Sequence, residues 1–103
     1  MPGLTIIGSG HHVPGDPVTN DDLARVKDTS DEWIRPRSGI GQRHFAREGQ
    51  GVSELALPAA QRALESAGLK ADEVDYIIFG TMTPDYILPG SGGLLGAKLG
   101  LEG

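Results

Sequence analysis

The run Val74-Asp75-Tyr76-Ile77-Ile78-Phe79-Gly80 constrains the fold most, because it is the most hydrophobic stretch in a chain that is only 38% hydrophobic. Its nearly continuous β-branched and aromatic content predicts a strand buried on both faces, as in a parallel sheet covered by helices. Before it, a helix is expected from Ser53 as N-cap to about Ala67, with Ala56, Ala60, Ala63, Leu64 and Ala67 on one stripe and Gly68 as its stop. Pro58 removes one backbone bond near the end of the first turn and should bend the helix start. Helix followed by strand is the order of an α/β crossover, and the small residues let the helix sit close to a sheet.

Leu4-Thr5-Ile6-Ile7 is a second β-prone run, ended by Gly8-Ser9-Gly10, and reads as the first strand. Strand followed by glycines invites a dinucleotide fingerprint, but Val13 stands where a small residue is needed and His11-His12-Val13-Pro14-Gly15 is a turn instead of a helix start. His11 and His12 are adjacent, so their side chains diverge, and with His44 as the third histidine no metal site is expected. After the turn Asp16-Pro17, Thr19 or Asn20 should cap a short helix through Val26. Near the other end, Gly90-Ser91-Gly92-Gly93 opens a helix through Leu99. Its glycine and lysine spacing fits neither common phosphate-binding motif, and Gly92, Gly96 and Gly100 at every fourth residue are expected to permit close packing.

The chemistry concentrates in Asp28-Thr29-Ser30-Asp31-Glu32-Trp33-Ile34-Arg35-Pro36-Arg37-Ser38-Gly39-Ile40-Gly41-Gln42-Arg43. Thr29 with Glu32 three residues later has the capping-box spacing, so a helix should start at Thr29, with Asp28, Asp31 and Glu32 at the positive end of its dipole. Pro36 disfavours helical angles at Arg35 and should end the helix after one to two turns. From Arg35 to Arg47 there are four arginines and one histidine with no acid among them, although the net charge is -5. A basic run in an acidic chain points to an anionic partner. Thr29 could be no more than a cap, Trp33 a core anchor and Arg37 a solvated charge. Together, a free hydroxyl, an indole face and a guanidinium that can both stack and fork onto phosphate suit a ligand with a purine ring and phosphates.

This motif, from Asp28 to Ile34 and on through Arg37, Gly39-Ile40 and Arg43, resembles the N-terminal signature of beta-ketoacyl-acyl carrier protein synthase III, a condensing enzyme of the thiolase superfamily. The resemblance extends over essentially all 103 residues, including Ile6-Ile7-Gly8-Ser9-Gly10, Val13-Pro14, Thr19-Asn20-Asp21-Asp22-Leu23 and Leu99-Gly100-Leu101-Glu102-Gly103. It implies an α/β, thiolase-like layered fold, of which residues 1–103 would be the N-terminal part of the first half only, and a homodimer. It implies that Thr29, Trp33 and Arg37 contact the adenine nucleotide end of coenzyme A. It also aligns Leu88 with a position where a phenylalanine often crosses the dimer interface to close the partner's acyl pocket. Alternatively, Leu88 packs against Ile87 and the last helix.

The chain has no cysteine, which excludes disulfides, thiolate metal sites and cysteine catalysis within these residues. The family's nucleophile is a cysteine that would fall shortly after Gly103, with its histidine and asparagine later still. No catalytic residue is therefore assigned here, no cofactor is expected, and the chain is read as an N-terminal fragment that is inactive alone. The activity implied for the intact protein is condensation of acyl-CoA with malonyl-acyl carrier protein in fatty acid biosynthesis. Its expected partners are acyl-CoA, acyl carrier protein, a second copy and the remainder of its own chain, with no nucleic acid. Tyr86-Ile87-Leu88 keeps open a relative that primes a polyketide or joins two acyl chains, and a non-catalytic module binding coenzyme A or carrier protein is the alternative of a different class. No secretory leader or membrane span is visible, so a cytoplasmic protein is expected.

Overall fold

The computed structural model describes residues 3–88 and 90–101. The chain divides into two units, one formed by Val13–Glu48 and the other by Met1–His12 with Gly49–Gly103.

The unit Val13–Glu48 contains β1 (Val18–Thr19), α1 (Asn20–Ala24), α2 (Asp31–Ser38) and β2 (Gln42–Arg43). β1 and β2 pair antiparallel, with Val18 opposite Arg43 and Thr19 opposite Gln42. Thr19 caps α1 through a complete capping box: its hydroxyl accepts the Asp22 N–H at 3.1 Å and the Asp22 carboxylate accepts the Thr19 N–H at 2.9 Å.

α2 departs from the sequence expectation at both ends. Its N-cap is Ser30, whose hydroxyl accepts the Trp33 N–H at 3.2 Å, so Thr29 stands one residue outside the helix and the Thr29–Glu32 box does not form. Pro36 lies inside the helix, where its missing N–H forfeits one bond of a two-turn element without ending it. The stop is Gly39, left-handed at φ 73°, whose N–H donates to the Arg35 carbonyl at 2.8 Å.

The other unit contains α3 (Val52–Ala67), a 3-10 turn (Ala71–Glu73) and α4 (Ser91–Lys98), and α3 packs against α4. α3 begins two residues before the expected start. Gly51 is its N-cap and offers no side-chain bond, and Ser53, buried at the second helical position, is not the cap. The missing acceptor comes from Asp85, whose carboxylate oxygens take the Ser53 N–H at 3.3 and 3.1 Å. The expected stop holds: Gly68 is left-handed at φ 70°.

Neither β-prone run is assigned as a strand. At 74–80 the side chains alternate, Tyr76 and Ile78 exposed and Ile77 and Phe79 half-buried, so one face is covered and not both. The covered face meets α4, where a Cβ on Gly92 would lie 3.4 Å from Phe79 and one on Gly96 would lie 3.7 Å from Ile77. These two glycines pack as expected. Gly100 does not; it has φ 85°, has no neighbour in that sense, and terminates the helix. Residues 4–7 are likewise exposed, and among the described residues they form no ladder with another strand. Their following glycines have a steric role: a Cβ on Gly8 would come within 2.5 Å of the Ala63 carbonyl, and one on Gly10 would collide with the Ala59 carbonyl. The alanine stripe of α3 therefore admits the extended chain at backbone distance, as its small residues suggest.

Candidate coenzyme A site on α2

Helical geometry places residues four apart on one face, so Trp33 and Arg37 meet on α2. The Arg37 guanidinium carbon lies 4.4 Å from the centre of the Trp33 ring, and its Nη1 donates to the Trp33 carbonyl at 2.9 Å. A stacked guanidinium at this range is worth about 0.5–1 kcal/mol when exposed. Trp33 is 56% exposed, which removes the reading of it as a core anchor. Thr29 is half-buried, and with Ser30 as the cap its hydroxyl is not required by the helix. Its N–H donates to the Lys27 carbonyl at 2.9 Å, turning the chain before α2.

The rest of the basic run serves largely internal purposes. Arg35 pairs with Asp31 one turn back, with Nη2 and Nε each 3.2 Å from Oδ1, and its guanidinium lies over Gly41, where a Cβ would come within 2.8 Å. Arg43 donates to the Val18 carbonyl at 3.0 Å and to Asn20 Oδ1 at 2.6 Å. The His44 ring nitrogen Nδ1 is 2.9 Å from the Pro14 carbonyl. The anionic partner inferred from the whole run thus narrows to the face that carries Arg37.

Asn20 is the residue that sequence reasoning missed. Its place in the sequence suggests a cap, whereas its side chain is 1% exposed and joins three segments. Nδ2 donates to Asp31 Oδ1 at 2.7 Å and to the Ile40 carbonyl at 2.8 Å, while Oδ1 accepts from Arg43. The Asn20 hydrogen bond, followed by the positive charge of Arg35 and its hydrogen bond, holds the Asp31 carboxyl below its ordinary range. The available sequence signal was an asparagine directly after a hydroxyl cap, a place where two such residues cannot both cap one helix.

Set against known proteins, no family model matches. The beta-ketoacyl-[acyl-carrier-protein] synthase III of Xanthomonas campestris pv. campestris (strain 8004) is 49% identical over 98 residues, covering 95% of this chain and 30% of that protein. The crystal structure of 3-oxoacyl-[acyl-carrier-protein] synthase III from Aquifex aeolicus VF5 superposes with a TM-score of 0.87 at 40% identity, covering 98% of this chain and 32% of that one. The chain matches the N-terminal portion of synthase III. Its fold is accordingly the α/β, thiolase-like one, present in part. The priming beta-ketosynthase of the R1128 polyketide pathway also superposes, with a TM-score of 0.83 at 29% identity, over 98% of this chain and 33% of that one.

The chain thus spans about 30% of the length of the synthase III relative it matches. Within that span, α2 brings Trp33 and Arg37 together, with Thr29 just before its cap. Leu88 belongs to the other unit and is 84% exposed, so it does not pack against α4 as the alternative reading required. Among the described residues no group of three His, Asp or Glu side chains could hold a metal ion, and no helix is long and apolar enough to cross a membrane.

Proposed function

We propose that this chain is the coenzyme A-recognising N-terminal part of a cytoplasmic, homodimeric condensing enzyme of the synthase III type. The enzyme transfers an acyl group from acyl-CoA to a cysteine outside these residues, then joins it to malonyl-acyl carrier protein with loss of carbon dioxide. Covalent storage on the thiol divides a difficult carbon–carbon bond formation into two easier steps. The observation that carries the reading is the Arg37 guanidinium lying 4.4 Å over a half-exposed indole. The pair offers an adenine ring a stacking surface and its phosphates a planar cation, with the Thr29 hydroxyl nearby in sequence. No thiol is present in this segment, so it supplies recognition and none of the bond-making steps.

Leu88 would line the acyl pocket of the partner across the dimer interface, and its exposure in a single chain is what that role requires. Its side chain, with Tyr86 and Ile87 before it, also favours a second reading in which the enzyme primes a polyketide, the activity named for the R1128 relative. Trp33→Ala and Arg37→Ala in the intact enzyme should each weaken acyl-CoA binding by about 1–3 kcal/mol by calorimetry. Unchanged affinity in both variants would reject the site.

A further inference from the structure

We infer that Asn20 is the positioning residue of the nucleotide-binding face, the element that fixes where Trp33 and Arg37 point. The inference rests on the coenzyme A reading above and adds a residue that touches no ligand. None of the residues of α2 is fully buried, and of its apolar side chains only Ile34 is half-buried while Trp33 is exposed. What ties its first turn down is polar: Asn20 Nδ2 donates to Asp31 at the first helical position, 2.7 Å away, two residues before Trp33. The same carboxamide holds the chain leaving α2, through the Ile40 carbonyl at 2.8 Å and Arg43 at 2.6 Å. The Asn20 backbone N–H donates to the Gly41 carbonyl at 3.1 Å. One buried amide with both donors and its acceptor engaged thereby clamps the entrance and the exit of a two-turn helix whose outer face carries the stack. An aspartate of the same size could keep the Arg43 contact but has no protons to give, and it would set a second carboxylate against Asp31. Loss of the clamp lets α2 pivot, and a stacking face displaced by even an ångström no longer matches its ligand.

The test compares two thioesters in the intact enzyme: acetyl-CoA, and acetyl-pantetheine, which lacks the nucleotide. Asn20→Asp and Asn20→Ala should raise KM for acetyl-CoA about tenfold with little change in kcat, while acetyl-pantetheine turns over as before. Should the buried variants fold poorly, Asp31 gives the same answer from the helix side. Asp31→Ala removes the acceptor, whereas Asp31→Asn keeps an oxygen for Asn20 although both lose the ion pair with Arg35. Selective loss for acetyl-CoA in Asp31→Ala, rescued in Asp31→Asn, supports the clamp. A parallel fall with both thioesters, or no fall with either, overturns it and leaves the coenzyme A reading intact provided Trp33→Ala alone still discriminates against acetyl-CoA. If Trp33→Ala treats the two thioesters alike, the underlying reading fails, and the clamp with it.

Discussion

The unit Val13–Glu48 and the unit formed by Met1–His12 with Gly49–Gly103 are held together by different forces. In the first, the most buried side chain is an amide, and Asn20, Arg35, Asp31 and Arg43 spend their polar groups on one another. In the second, a stripe of small residues on α3 admits the chain at Gly8 and Gly10, Leu95 is the buried hydrophobic residue among those described, small Ser53 and Ser91 are buried too, and Ile6, Tyr76 and Ile78 remain exposed. A hydrogen-bonded unit can define a binding face without an apolar centre, because directional bonds specify orientation where packing specifies proximity. Scaffold stability and the geometry of the recognition face should therefore respond to different substitutions.

The largest effect is expected from Gly10→Val. Its branched side chain has no space against the Ala59 carbonyl, and separating the extended chain from α3 should cost about 3 kcal/mol in urea unfolding. The folded fraction should bind acyl-CoA as before; an equal loss of affinity would erase the distinction between the two units. A smaller effect separates cap from contact. Ser30→Ala should cost about 1 kcal/mol of stability by removing the acceptor of the Trp33 N–H. Thr29→Ala should stay within about 0.5 kcal/mol, and a ranking in the opposite order would move the cap back to Thr29.

The smallest effect is one of pH. The Asp31 carboxyl is held below its ordinary value by Asn20 and Arg35, so the folded state binds its proton less readily than the unfolded chain does. Its contribution is present above the ordinary aspartate value, about 3.9, and fades as pH falls through the lower folded value. Stability measured between pH 7 and pH 3 should decline more steeply in the natural protein than in Asp31→Asn. Parallel slopes would mean that the carboxylate adds nothing to the polar unit.

The long helix, its glycine stop and the packing of Gly92 and Gly96 were legible because each follows from local spacing, whereas the stacking of Arg37 on Trp33 was not, because it needs the helix to run on through Pro36. The errors arose where two local signals competed or where a partner was distant. Thr29 and Ser30 are adjacent hydroxyl residues, and choosing Ser30 places Asp31 at the first helical position, within reach of Asn20. Pro36 signals a terminator through the preference of the preceding residue, yet a two-turn helix loses a single bond to it and Gly39 supplies a better end. Residues 74–80 have the composition of a fully covered strand, but composition cannot state which neighbours are present to cover it. The role of Asn20 depends on Ile40 and Arg43, which only the folded chain brings back to it.

Asp85 gives α3 a start that its own sequence does not contain. The carboxylate that receives the Ser53 N–H lies 32 residues downstream, and the Asp85 N–H in turn donates to the Ser91 hydroxyl at 3.0 Å, beside the first turn of α4. The side-chain acceptor of the first turn of α3 is thus in place only when residue 85 has folded back, so an element that looks local depends on a long-range contact. In the finished protein the coupling runs the other way. A displacement of the segment carrying Tyr86, Ile87 and Leu88 that drew Asp85 outward would leave the beginning of α3 without its side-chain acceptor.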